Sequence, residues 1–180
     1  VKFVFCNVRS EIMKVNKMKL QFIIISIFIF ALFTGLQAQD KNNEIQKYIS
    51  VTKFDTARDA QKDLKDAIAE AKRTNKKIYV DVGGEWCIWC HRLDNFYDSN
   101  KDLQDYLNKH YVYLKINFSR ENRNQAVLSQ FPKIEGYPHI FILDKTGSLI
   151  KSKNTGELED GKGYSHDKVL SFLKEFSGKL

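Results

Sequence analysis

Residues 80–91 read VDVGGEWCIWCH, and the fold turns on how those residues are understood. Cys87 and Cys90 stand two residues apart, and His91 follows at once. Cys-x-x-Cys-His is the attachment signature of a c-type haem, whose iron would take His91 as a ligand. A Cys-x-x-Cys behind a tryptophan is equally a redox dithiol. The two chemistries exclude each other, because thioether bonds to a haem consume both thiols.

Working outward from the motif, the stretch 77–82 (KIYVDV) is short, β-rich and apolar enough for a strand covered on both sides. Before it, Ala57, Ala60, Leu64, Ala67, Ile68 and Ala71 recur at helical spacing. Asp55 or Thr56 is placed to cap that helix and Asn75 to end it. After the motif, Leu93, Phe96 and Tyr97 predict a helix running on from the cysteines, and a second covers 103–109. A buried strand follows at 111–118 (YVYLKINF), then a short helix over 122–131 that stops at Phe131-Pro132. HIFIL (139–143), the turn DKTG and SLIK (148–151) form a hairpin. Val169, Leu170, Phe172, Leu173 and Phe176 mark one face of a closing helix. The order α, β, α, α, β, α, β, β, α implies an α/β fold, a mixed sheet sandwiched by helices.

The chain has 180 residues and a net charge of +7, which invites a nucleic-acid reading. Residues 1–38 hold Lys2, Arg9, Lys14, Lys17 and Lys19 against Glu11 alone. In the remainder basic and acidic residues nearly balance and are interleaved, so no phosphate-tracking face is expected and nucleic acid is excluded as a partner. Lys14, Lys17 and Lys19 precede the apolar run FIIISIFIFALF (22–33), which ends in TGLQAQ. That is the form of a secretory signal peptide cut after Ala38. The competing reading is an uncleaved membrane anchor, although the run is shorter than the ~20 residues of a usual span. Residues 1–17, before Met18, read as a start placed too early, and 39–53 as a polar linker ahead of a domain over 54–180. With the leader removed, Cys6 is lost and only Cys87 and Cys90 remain. Two cysteines so close together close almost no loop, so they serve reactivity or a ligand rather than a structural staple.

Four features beyond the cysteines carry a family resemblance. Asp81 lies at the end of the strand, six residues before Cys87; Lys115 sits in LKIN; Gly136-Tyr137-Pro138 precedes the hairpin; Gly156 follows it. In that order, on those elements, they resemble the thioredoxin superfamily, particularly exported thioredoxin-like proteins with a second aromatic residue inside the motif. The resemblance covers about residue 55 to the end. It implies a three-layer α/β/α sandwich with a central mixed sheet, a buried acid at Asp81 with Lys115 beside it, and a cis peptide before Pro138. The departures are Ile88-Trp89 where Gly-Pro is commonest, Gly83-Gly84 where a bulkier pair is usual, and His139 where threonine usually follows the proline.

The chemistry of the residues leads to the same dithiol. A cysteine at the first turn of a helix meets unpaired N–H groups and the positive end of the dipole, which favour the nucleophilic thiolate. Cys87 occupies that place. Cys90, one turn on, is the resolving thiol, and Asp81 is the expected acceptor of its proton because burial raises a carboxyl pKa. Lys115 is expected as a modulator of Asp81, or else as a strand residue snorkelling to solvent. Trp86, Trp89, Tyr137 and Pro138 form the expected apolar rim for an extended peptide. His91 is expected on the exposed side of the helix, favouring the Cys87 thiolate when protonated.

A haem would also need a second axial ligand, and beyond the leader only His110, His139 or His166 is offered. A zinc or iron–sulfur site on Cys87, Cys90, His91 and His139 lacks the usual second ligand pair. The reading that follows is an exported thiol–disulfide oxidoreductase without cofactor or metal, a monomer acting on protein disulfides with an upstream redox donor or acceptor. Ile88-Trp89 supplies no side-chain donor to sulfur, which favours reduction or isomerisation over strong oxidation. The alternatives are a redox-inactive peptide-binding module and the haem protein.

Overall fold

A computed structural model describes residues 48–178. The proposed leader and most of the stretch 39–53 lie outside the described residues. The first helix, α1 (Ala60–Thr74), starts later than its apolar spacing predicts, because Asp59 takes the cap. Its carboxylate accepts the N–H groups of Gln61 and Lys62, while Asp55 closes a separate turn by accepting that of Ala57. Ala57 is therefore left outside. Asn75 ends the helix in the left-handed conformation, as expected of it.

Strand β1 (Lys77–Gly83) leads into the cysteine segment and α2 (Ile88–Ser99), which is followed by α3 (Lys101–His110) and β2 (Tyr111–Asn117). The short helix α4 spans only Gln125–Leu128 rather than 122–131. Asn117, Ser119, Asn122 and Asn124 bond to one another and to nearby backbone, holding its front half as a polar loop. The hairpin pairs β3 (His139–Leu143) with β4 (Leu149–Asn154), which ends three residues later than expected. A 3-10 turn (Thr155–Leu158), a ribbon of two-residue strands, β5 (Glu159–Asp160) and β6 (Gly163–Tyr164), and the closing helix α5 (His166–Ser177) complete the described chain. The turn and the ribbon are too short to leave a periodic signature.

The sheet runs β2-β1-β3-β4, with β1 and β2 parallel and the other pairs antiparallel. The segment 48–54 is tied to the domain at three residues. Val51 bridges Leu114, the Tyr48 hydroxyl donates to the carbonyl of Tyr113, and Phe54 is buried. Strand alternation gives the sheet two faces. Ile78, Val80, Val82, Val112, Leu114, Ile116, Phe141 and Leu143 point towards α1 and α4. Tyr79, Tyr111, Ile140 and Ile142 point towards α2, α3 and α5. The result is a three-layer α/β/α sandwich around a mixed sheet. Among the described residues no helix is long and apolar enough to cross a membrane.

Candidate active site

Strand β1 delivers the chain to the site, and two glycines let it pass. A Cβ on Gly83 would lie 2.4 Å from the Cys90 sulfur and 2.9 Å from the Phe54 ring. One on Gly84 would lie 2.5 Å from the Trp86 indole nitrogen and 2.9 Å from the carbonyl oxygen of Phe118. The departure at Gly83-Gly84 is thus a packing requirement, since only glycine fits under the sulfur and under the indole. Trp86 lies across that gap and donates from Nε1 to the Phe118 carbonyl at 2.7 Å.

Cys87 is the N-cap of α2. Its sulfur accepts the N–H of Cys90 at 3.1 Å, a donor of the first turn that is shared with the Cys87 carbonyl oxygen at 3.0 Å. Cys87 and Cys90 are joined in a disulfide, with Cα atoms 5.2 Å apart. Cys90 is fully enclosed and Cys87 nearly so, in a small cluster with Phe54, Trp89 and Tyr137. The Tyr137-Pro138 peptide is cis. The Tyr137 ring meets Trp86 edge-on at 5.4 Å and stacks on Phe118 at 5.1 Å. Trp89 is turned to the other flank, edge-on to Tyr164 at 5.8 Å, with the Arg92 guanidinium 4.3 Å from its ring centre. Trp86 and Ile88, 58% and 62% exposed, stand out beside the motif.

Behind the cysteines lies a buried polar group. Asp81 is fully buried; its Oδ2 accepts the Tyr113 hydroxyl at 3.0 Å and faces the Lys115 ammonium at 3.8 Å, while Oδ1 has no partner. Burial pushes its carboxyl up to about 6; the Asp94 carboxylate adds to the rise, and Lys115 and Tyr113 oppose it. Lys115 does not snorkel to solvent. It is buried, donates to Asp94 on α2, and lies 4.1 Å from the Phe54 ring centre. Its neighbours explain this: strand pairing sets it beside Asp81, and α2 brings Asp94 over it. A cavity of about 660 Å³, lined by residues including His91, Asp94, Tyr97, Tyr113 and Lys115, opens beside this group.

Both histidines offered as metal ligands are engaged elsewhere. His91 Nε2 pairs with the Glu85 carbonyl oxygen at 2.8 Å. His139 is buried on the aliphatic face, bonded to the Ser152 hydroxyl and packed on Phe141; burial lowers its pKa. Among the described residues no group of three or more His, Cys, Asp or Glu is placed to hold a metal ion. A haem would need both sulfurs open for thioether bonds, whereas the Cys90 sulfur is enclosed over Gly83 and bonded to Cys87.

Residues 59–145 match the family model described as thioredoxin-like. That match places residues 59–145 in the thioredoxin superfamily. Within that frame the Cys87–Cys90 disulfide is the group placed for thiol–disulfide exchange. The chain is 29% identical over 109 residues to the thiol:disulfide interchange protein DsbD of Colwellia psychrerythraea, covering 59% of this chain but 18% of that protein. The chain therefore spans less than a fifth of that relative's length. A disulphide isomerase from Xylella fastidiosa Temecula1 superposes with a TM-score of 0.61 at 25% identity, covering 69% of this chain and 96% of that one. The oxidised C-terminal domain of Neisseria meningitidis DsbD shares the fold, with a TM-score of 0.50 at 18% identity over 69% of this chain and 98% of the domain.

Within the thioredoxin frame, sequence reasoning missed Asp94, Tyr113 and Phe54. Two of them carried a signal. Tyr113 is two residues before Lys115 and so shares its strand face; Asp94 is four after Cys90 and so shares its helix face. Phe54 lies in an aperiodic stretch and left none.

Proposed function

We propose that the protein is an exported reductase or isomerase of protein disulfides. The observation that carries the reading is the Cys87 sulfur at the start of α2, accepting the Cys90 N–H. In the reduced protein that donor and the helix dipole favour a Cys87 thiolate. The thiolate attacks a substrate disulfide, forms a mixed disulfide and releases one substrate thiolate. Cys90 then loses its proton and attacks the Cys87 sulfur, which frees the second substrate thiolate and closes the Cys87–Cys90 disulfide. The substrate gains two electrons, and an upstream dithiol donor returns them to the pair.

Asp81 is the proposed acceptor of the Cys90 proton. Asp81 and Gly83 share one face of β1, and a side chain at Gly83 would point into the Cys90 sulfur. Asp81 therefore stands on the same face one strand repeat, ~7 Å along the backbone, behind it, a gap the proposal bridges with water. The cavity beside Lys115 and Tyr113 supports a supply of that water. Lys115 modulates Asp81. Trp86, Tyr137 and Pro138 form the proposed peptide rim, with Ile88 added and Trp89 bounding its far side. Export rests on the leader in residues 1–38, and the monomeric state remains part of the proposal.

The test is reduction of insulin by dithiothreitol with the mature chain, together with alkylation of the reduced protein. Acceleration of insulin precipitation, fast labelling of Cys87 alone, and mixed disulfides trapped by Cys90→Ala are expected. No acceleration and no trapped species would make the chain a peptide-binding module with a passive disulfide.

A further inference from the structure

The ribbon that left no trace in the sequence's periodicity touches the motif from behind. Tyr164 on β6 is nearly buried, and its hydroxyl points at the carbonyl oxygen of Trp89, 3.3 Å away. Its ring is held edge-on by Trp89 and tilted against Phe96. Thr155, also buried, borders the same hydroxyl and donates to the Pro138 carbonyl at 2.7 Å. Thus one segment, 155–164, contacts the backbone between the two cysteines and the backbone of the proline loop.

The Trp89 carbonyl belongs to the same peptide unit as the Cys90 N–H, which donates to Cys87 Sγ at 3.1 Å and is shared with the Cys87 carbonyl oxygen at 3.0 Å. A donor on the oxygen of an amide polarises it and strengthens its N–H as a donor in turn, by roughly 10–30% per bond. We infer that Tyr164 is a positioning residue for the reaction: through the Trp89–Cys90 peptide it strengthens the hydrogen bond that stabilises the Cys87 thiolate. The relay runs Tyr164 Oη–H to Trp89 C=O, then Cys90 N–H to Cys87 Sγ. No bond is made or broken in it. The inference rests on Cys87 being the nucleophile, as proposed above.

Because the first link is long for an O–H···O pair, the expected effect is small and specific. Tyr164→Phe keeps the ring contacts and removes only the hydroxyl. Charged groups around this region are Arg92 at the Trp89 ring, Glu159 and Asp81 near Tyr164, and His91 with Glu85 beside the motif. All are present in both proteins.

The experiment is the rate of iodoacetamide alkylation of Cys87 against pH in the reduced mature chain, wild type and Tyr164→Phe, with thermal midpoints recorded beside it. The variant's alkylation midpoint is expected to rise by about 0.2–0.5 pH units, which is a ~2–3-fold smaller thiolate fraction below the midpoint. The disulfide should also become correspondingly more reducing, since loss of thiolate stabilisation disfavours the reduced form. A lower thermal midpoint with an unmoved alkylation midpoint would make Tyr164 purely structural and overturn the relay. Equal labelling of both cysteines in the wild type would instead defeat the assignment of Cys87 as nucleophile, a separate failure.

Discussion

The two faces of the central sheet are built from the same strands and do opposite things. Leu114 and Lys115 are chain neighbours on β2, and alternation sends them to opposite sides. The α1 face is almost wholly aliphatic. The α2 face carries Tyr79, Tyr97, Tyr111 and Tyr113 together with Asp81 and Lys115. Hydroxyls there find partners: Tyr79 meets Tyr97 at 3.0 Å, Tyr111 donates to the Leu173 carbonyl, and Tyr113 donates to Asp81. An ionisable pair is tolerated on the face whose packing residues also bring hydrogen bonds, and the other face supplies burial without chemistry.

Substituting those two neighbours separates the two faces most strongly. Lys115→Met leaves Asp81 and Asp94 without their cation and should cost about 3–5 kcal/mol at pH 8, with a smaller loss at pH 5 where Asp81 takes up a proton. Because Lys115 holds the Asp81 carboxyl down, the activity profile should also move to higher pH. Leu114→Ala, on the other face, should cost about 2–5 kcal/mol in urea unfolding and leave the pH profile in place. A pH profile that moved in both variants would erase the division between the faces.

Asp81→Asn should act in the opposite direction on stability. Burial raises the folded carboxyl to about 6, above an unfolded value of ~3.9, so the folded chain binds the extra proton. The stability this group contributes is fully present below the unfolded value and is lost as pH rises through about 6. At pH 8 the variant should therefore be more stable than wild type by up to ~3 kcal/mol, and the gap should close below pH 4. Chemical denaturation at the two pH values measures it, and a constant gap contradicts the buried-acid account.

The smallest expected effect is Tyr113→Phe. It removes one hydrogen bond to Asp81, should cost about 1 kcal/mol, and should raise the carboxyl a little further, since that bond holds it down. Titration of the Asp81 carboxyl by carbon NMR reads this shift.

Much of this arrangement was legible in the sequence because it follows short periods. Short β-rich apolar runs placed β1, β2 and β3, helical spacing placed α2, α3 and α5, and Asp81, Lys115, Cys87, Cys90 and Pro138 lie on or beside those elements. What escaped was set by contacts between distant segments. The start of α1 went to Asp59, with Asn122 of the distant loop bonding the Thr56 and Arg58 carbonyls just ahead of it. Lys115 pointed inwards because Asp94 lies on a helix that crosses above it. Gly83 and Gly84 looked like substitutions until the sulfur and the indole above them were located.

The measurement that bears most directly on the mechanism is single-turnover release of a mixed disulfide formed at Cys87, followed from pH 4 to pH 9 in wild type and Asp81→Asn. The proposed acceptor role predicts a wild-type release rate that climbs through an inflection near the Asp81 value of about 6. It predicts that Asp81→Asn loses this inflection and slows release at pH 7 by ~10²-fold or more, while formation of the mixed disulfide keeps its rate. Superimposable release profiles for the two proteins would contradict it, and the Cys90 proton would then leave by a route that does not pass through Asp81.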